Sequence, residues 1–368
     1  MSSIRVPSYI REIAPYQAGK PISELAREYR LDEASIVKLA SNENPLGMSA
    51  KARDAMVRAM DEIERYPDSN GFELKAAIAA RYGVAPAQIT LGNGSNDLLD
   101  LAVRTFVMPG DGVVYAQHAF AVYMLASQAQ GARRIEVPAR DYGHDLDAMA
   151  AAVDEGTRLV FIANPNNPTG TFVPGAQIKA FLERVPADVV VVLDQAYDEY
   201  LRPDERYDAT PWLAEHPNLI ICRTFSKAYG LAGLRLGFAL ASAELTDFMN
   251  RVRQPFNTNS LAQAAAIAAL DDTDFLRRSY ALNLAERDRL QQAFADRGLR
   301  YVPSSANFVM VEVGQGGAVT EALLHEAVIV RPIGGYGLPG WVRVSVGLAD
   351  ENARFLAALD KVMAATAR

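Results

Sequence analysis

Lys227 stands two residues beyond the apolar run LIICRTF, with Ser226 ahead of it and Arg235 eight residues on in SKAYGLAGLR. Three other apolar runs also end in polar residues capable of chemistry. QITL is followed by Gly92-Asn93-Gly94-Ser95-Asn96-Asp97, RLVFIA by Asn164 and Asn167, and VVVVL by Asp194 and Tyr197. Each feature alone has an ordinary reading: a glycine turn with an N-cap, a carboxylate capping the next element, a solvated cation on a loop. Together they describe a more specific chemistry. A Gly-Ser turn opening a helix offers backbone N–H groups and the positive end of the macrodipole, which suits a phosphate dianion. Arg235 would add a forked cation and Ser226 a hydroxyl. A carboxylate at Asp194 would keep a pyridine nitrogen protonated, since a nearby opposite charge favours the charged form at about 1.4 kcal/mol per pKa unit. That proton makes such a ring an electron sink. Lys227 would supply an amine for a Schiff base and, once displaced, a base for proton transfer.

These residues need a scaffold that gathers strand ends. Helical patterns near 49–64, 72–82, 96–106, 120–130 and 174–183 alternate with the short apolar runs QITLG, GVVYA, RLVFIAN, DVVVVLD, LIICRTF and GFALA. Runs that are apolar on both faces predict strands of a parallel sheet covered by helices, an α/β fold. Ligands of open α/β sheets bind beyond the carboxyl ends of the strands, where the four polar groups fall. Residues 1–40, punctuated by Pro7, Pro15, Gly19 and Pro21 before the helical ISELAREYR, read as an arm or part of a smaller domain. Residues 41–255 read as a large domain. Residues 256–368 read as a smaller α+β domain, with the Ala-rich SLAQAAAIAAL, a long helix to about 297, strands NFVMVEV, VIVRPI and WVRVSVG, and a last helix.

Composition narrows the function classes. The 368 residues, half of them hydrophobic, are enough for a large core in one or two domains. A net charge of −7 leaves no electrostatic footprint for nucleic acid. The longest apolar stretches fall well short of the roughly 18 to 20 residues that span a bilayer, and the charged N-terminus does not read as a signal peptide, so a cytoplasmic enzyme without a membrane partner is expected. Cys222, the single cysteine, lies in an apolar run and reads as a buried thiol. The four histidines, His118, His144, His216 and His325, lack metal-ligand spacing, and no metal is expected.

The motifs TFSKAYGLAGLRLG, NPNNPTG, DQAY after VVVVL, KLASNENPLG and RYPD at 65–68 resemble fold-type-I aminotransferases, which use pyridoxal 5'-phosphate. With APYQAGKP near the N-terminus, the resemblance narrows to the histidinol-phosphate aminotransferases and covers nearly the whole chain. It implies a mostly parallel central sheet in a large domain beside a smaller α+β domain. It also implies transfer of an amino group from histidinol phosphate to 2-oxoglutarate, a step of histidine biosynthesis. Carried over residue by residue, Lys227 is the lysine that holds the cofactor, Asp194 the partner of the ring nitrogen, and Tyr197 and Asn167 the partners of the ring hydroxyl oxygen. Gly94, Ser95, Asn96, Ser226 and Arg235 form the phosphate cup, and Phe120 covers the ring face. Tyr66 in RYPD reaches the phosphate of a neighbouring subunit, which implies a homodimer with shared sites. Arg343 grips the anionic group of the substrate, with Tyr16, Asn44 and Arg331 nearby.

Two departures bear on the substrate subclass. Gln195 follows Asp194 where many relatives carry glutamate, and QHA precedes Phe120 in place of a proline-containing form. Of the histidines, His118 is the one whose place in the chain could bring it near the site. The rivals are an aromatic amino acid aminotransferase, since apolar pockets discriminate by only about 1 to 3 kcal/mol per methylene, and a decarboxylase acting on a phosphothreonine-type substrate. From another class comes a cofactor-binding sensor fused to a DNA-binding module, for which the 40 residues ahead of the motifs leave little room.

Overall fold

Seven runs form one sheet: Ile89–Gly92 (β1), Gly112–Ala116 (β2), Arg133–Val137 (β3), Thr157–Ala163 (β4), Val190–Asp194 (β5), Leu219–Thr224 (β6) and Gly237–Ala241 (β7). The computed structural model describes residues 4–15 and 19–366. The strand order is β1-β7-β6-β5-β4-β2-β3, and only β7 opposes the common direction, antiparallel to both β1 and β6. β5 and β6 are buried along their whole length and β4 nearly so. Their Val, Leu and Ile side chains pack on both faces, each contributing about 1.5 to 3 kcal/mol on burial. β3, RRIEV, is different: its charged residues are exposed, as befits a strand that ends the sheet.

Five helices bear on the site or its flank: Ala50–Ala59 (α1), Ser95–Phe106 (α2), Ala121–Ala129 (α3), Ser260–Asp271 (α4) and Thr273–Asp296 (α5). α2 buries Leu98, Leu99, Leu101, Ala102 and Val103 in the main core, so its polar N-terminus is held at the sheet rim. α4 buries Ala262, Ala265, Ala266 and Ala269 and packs against α1; small side chains permit that approach. Asp272 separates α4 from α5, leaving helical geometry and accepting a hydrogen bond from the Phe275 N–H.

A second sheet holds Tyr301–Val302 (β8), Phe308–Glu312 (β9), Arg331–Pro332 (β10) and Trp341–Ser345 (β11), all antiparallel in the order β10-β11-β9-β8. Val309, Val311, Val342 and Val344 pack with Phe355 and Leu359. The run VIVRPI divides between two sheets: Val328–Ile329 pairs in parallel with Val37–Lys38, while Arg331–Pro332 turns to join β11. The helix Ile22–Tyr29 buries Leu25 and Ala26 in a cluster with Leu324 and Ile329. Segments far apart in sequence thereby bring Ala40 and Ser41 beside the rim of the large sheet, where both line the cavity described next.

Candidate active site

A cavity of about 240 Å³ opens at the carboxyl rim of the large sheet. Its lining includes Ser95, Asn96, Phe120, Asn167, Asp194, Tyr197, Ser226, Lys227, Arg235, Arg331 and Arg343. The six co-directional strands explain the convergence, because β4, β5 and β6 all end on this rim and the next few residues of each connection face one space.

One end of the cavity is built for an anion. Gly94 caps α2 at φ 83°, and a Cβ there would lie 2.5 Å from Nη2 of Arg235. Only glycine lets the guanidinium approach the helix N-terminus so closely. Gly237 acts similarly one strand away, where a Cβ would sit 2.6 Å from the backbone nitrogen of Ser95. Arg235 donates from Nη1 to Ser226 Oγ at 3.2 Å. A guanidinium, a hydroxyl and a helix N-terminus thus share one corner.

Asp194, the last residue of β5, is buried and also lines the cavity. Its Oδ2 accepts from the Tyr123 hydroxyl at 2.9 Å and its Oδ1 from the Ala196 N–H at 3.1 Å. Burial pushes this carboxyl up to about 6, against the two hydrogen bonds and the charge of Lys227. Lys227 Nζ donates to the Ser41 carbonyl at 3.2 Å and lies 5.9 Å from the centre of the Tyr197 ring. Burial first, then the charges of Arg343 and Arg235, bring its ammonium down to about 8, with Glu43 and Asp194 opposing. The Tyr197 hydroxyl accepts from Asn42 Nδ2 at 3.0 Å, and burial pushes its phenol up to about 12. Phe120, at the N-cap of α3, meets Tyr123 edge-on at 5.9 Å.

The third region carries the arginines. Arg331 on β10 and Arg343 on β11 are directly opposed across the antiparallel pair. Arg343 is buried over the Phe308 ring, donating to Asn167 Oδ1 at 2.5 Å and to the Ala40 carbonyl at 2.7 Å.

Not all of the expected residues line this cavity. The Asn44 side chain turns from the cavity: Nδ2 donates to the Ala228 carbonyl at 2.9 Å and to Ser279 Oγ at 2.8 Å, and Oδ1 accepts from the Leu46 N–H. It is Asn42, in the left-handed conformation at φ 55°, that faces the cavity from this segment, held by Ser345. Tyr66 is 83% exposed, stacked on Phe256 at 4.7 Å, and does not line the cavity of its own chain. Tyr16 lies outside the described residues. Gln195 faces away, accepting from Arg223 and donating to Asp198. Tyr123, Asn42 and Thr224 were not expected to line the site. Tyr123 had a signal, being three residues beyond Phe120 and therefore on the same helix face.

An amine lowered to about 8, a buried acid and an anion corner on the rim of a mostly parallel sheet define a fold-type-I aminotransferase. The chain belongs to the aminotransferase class I and II family, whose profile matches residues 34–359. Its relatives narrow this further. It is 63% identical over 362 residues to histidinol-phosphate aminotransferase 2 of Ralstonia nicotianae, covering 97% of each chain. It is 62% identical over 361 residues to histidinol-phosphate aminotransferase 1 of Cupriavidus pinatubonensis, covering 97% of this chain and 96% of that one. Among solved structures it is similar to histidinol-phosphate aminotransferase from Sinorhizobium meliloti in complex with pyridoxal-5'-phosphate, with TM-score 0.89, 30% identity and 99% of both chains covered. The cavity fits that cofactor: the Gly94–Arg235 cradle suits a phosphate, the buried Asp194 a protonated ring nitrogen, and the Lys227 amine an aldehyde. No helix of the described residues is long and apolar enough to cross a membrane.

Proposed function

We propose that the protein moves an amino group reversibly between histidinol phosphate and 2-oxoglutarate, in the cytoplasm, for histidine biosynthesis. Pyridoxal phosphate, when bound, supplies an electron sink for the carbon that loses its proton. Ser95, Asn96, Ser226 and Arg235, with the backbone at Gly94, would hold its phosphate; Asp194 its ring nitrogen; Asn167 and Tyr197 its ring oxygen; and Phe120 one ring face. Lys227 binds the cofactor and, once displaced, moves a proton at Nζ. A lysine near 8 rather than 10.5 suits both tasks, because a base works best with a pKa close to the working pH. The division into an N-terminal arm at 1–40, a cofactor domain at 41–255 and a smaller domain at 256–368 is part of this reading.

The observation that carries the choice of donor is the opposed pair Arg331 and Arg343, two guanidiniums lining the cavity that holds Lys227. A phosphate monoester takes up more positive charge than a single carboxylate, and a planar guanidinium forks to either anion. One arginine, Arg343, would serve both the donor's phosphate and the acceptor's carboxylate in turn. Arg331→Ala should lower kcat/KM for histidinol phosphate about ten- to a hundredfold, the worth of a charge-assisted hydrogen bond, and leave the glutamate reaction nearly unchanged. Arg343→Ala should impair both. Rates across a panel of amine donors decide the matter: a higher kcat/KM for phenylalanine or tyrosine, with the preference unmoved by Arg331→Ala, would make this an aromatic aminotransferase.

The active unit on this reading is a homodimer with shared sites. Tyr66 and its stacking partner Phe256 are exposed, as are Met60 and Ile63 on the same short segment, and a second subunit would cover them. Mixing inactive Lys227→Ala with an inactive Tyr66→Ala variant should restore about a quarter of wild-type activity, because half the dimers are hybrids with one native site of two. Proven hybrids without recovery would place Tyr66 outside the site.

A further inference from the structure

Arg331 and Arg343 sit on the two strands of one hairpin, and residues 333–340 form its loop, including a single 3-10 turn at Gly334–Tyr336. That loop is tied across to the large sheet. The imidazole of His118 donates from Nδ1 to the Tyr336 carbonyl at 2.5 Å; the acceptor is a carbonyl, so Nδ1 carries the hydrogen. His118 is held from behind as well, its own carbonyl accepting from Asn166 Nδ2 at 2.9 Å. Asn167, the next residue, accepts from Arg343. The hairpin is therefore tied to the loops of the large sheet by Arg343–Asn167 inside the cavity and by Tyr336–His118 at the tip.

The backbone at this junction is forced. His118, Asp141 and Tyr142 have φ of 56°, 51° and 64°, three of the eight non-glycine residues with positive φ among the described residues. Tyr142 packs against Trp341 of β11 at 5.2 Å and lies 6.4 Å from the His118 ring. Such conformations persist where surrounding contacts over-determine them and gather at ligand clamps.

We propose that His118 is a positioning residue for the donor's anionic group. This rests on the reading of Arg331 and Arg343 as the anion pocket. Arg343 already spends part of its N–H set on Asn167 and the Ala40 carbonyl, so an anion bound there shares its guanidinium with the inner tie. The outer tie does not involve the guanidiniums. It keeps both arginines in register with Phe120, two residues after His118, while Arg343 takes up the anion.

Two substitutions separate the side chain from the backbone. His118→Gly accepts the left-handed conformation and deletes the donor; His118→Asn tolerates that conformation and places an amide N–H near the position of Nδ1. With cofactor-loaded enzyme, His118→Gly should raise KM for histidinol phosphate about tenfold, the weight of one well-placed hydrogen bond, with kcat and the cofactor's visible spectrum nearly unchanged. His118→Asn should recover most of that loss. An unchanged KM in His118→Gly would overturn the proposal, as would lower kcat with cofactor loss that His118→Asn fails to rescue, the pattern of a purely structural residue. If wild type does not turn over histidinol phosphate, the donor assignment fails separately. His118 is then judged on KM for glutamate, whose carboxylate needs the same hairpin.

Discussion

Lys227→Ala, mixed with pyridoxal phosphate, should lack the visible band of a lysine-linked cofactor and lose amino transfer by roughly 10⁴-fold or more, since on the proposed reading one side chain supplies both the covalent tether and the base. The wild-type amine has a second signature. It sits near 8 because burial disfavours its ammonium and Arg343 and Arg235 repel it. The neutral amine is the nucleophile, so its fraction sets the rate of cofactor capture. At pH 7 about a tenth of such a lysine is neutral, against well under a thousandth for one at 10.5. Capture by cofactor-free protein should therefore rise with pH through 7 and level off above about 8. A rate still climbing tenfold per unit at pH 10 would mark an ordinary lysine, and normal turnover by Lys227→Ala would remove it from the mechanism.

The sequence foretold the centre of the fold better than its margins, for a physical reason. Leu159–Ala163, Val190–Asp194 and Leu219–Thr224 are apolar on both faces because helices cover both faces, and an unbroken apolar run ending in Asn, Asp or Ser-Lys is visible without coordinates. Arg133–Val137 gave no such signal, because an edge strand exposes its charges and its pairing partner is chosen by the chain before and after it. VIVRPI reads as one strand, yet its two halves hydrogen-bond to segments at opposite ends of the sequence, Val37–Lys38 and Val342–Arg343.

Residues at or just beyond a strand end are easiest to place, since the sheet fixes their position; Asp194, Asn167 and Lys227 all line one cavity. KLASNENPLG was harder because it lies outside the large sheet. Whether Asn42 or Asn44 faces the cavity depends on a left-handed residue and on Ser345, and neither leaves a mark in local sequence. Tyr66 is harder still, because its expected partner belongs to another subunit.

Asp194→Asn should bind the cofactor and yet lower kcat by about 10³-fold, equivalent to losing some three pKa units of support for the proton on the ring nitrogen. The amide replaces the carboxylate almost without a change in volume. It can accept from the Ala196 N–H through its oxygen while its NH₂ meets the Tyr123 hydroxyl oxygen, so the local packing should survive. What goes is the negative charge. Burial raises this carboxyl to about 6 even against its two hydrogen bonds and the charge of Lys227, and a protonated ring nitrogen beside it would pull it back toward the ionised form. Tyr123 works in the same direction by donating to Oδ2, so Tyr123→Phe should produce a smaller loss, about tenfold, by the same route. Both variants should keep the visible band, because the proposed tether, Lys227, and the proposed phosphate corner are untouched. If Asp194→Asn turns over within about tenfold of wild type while Lys227→Ala is dead, the ring nitrogen's proton is held by another group.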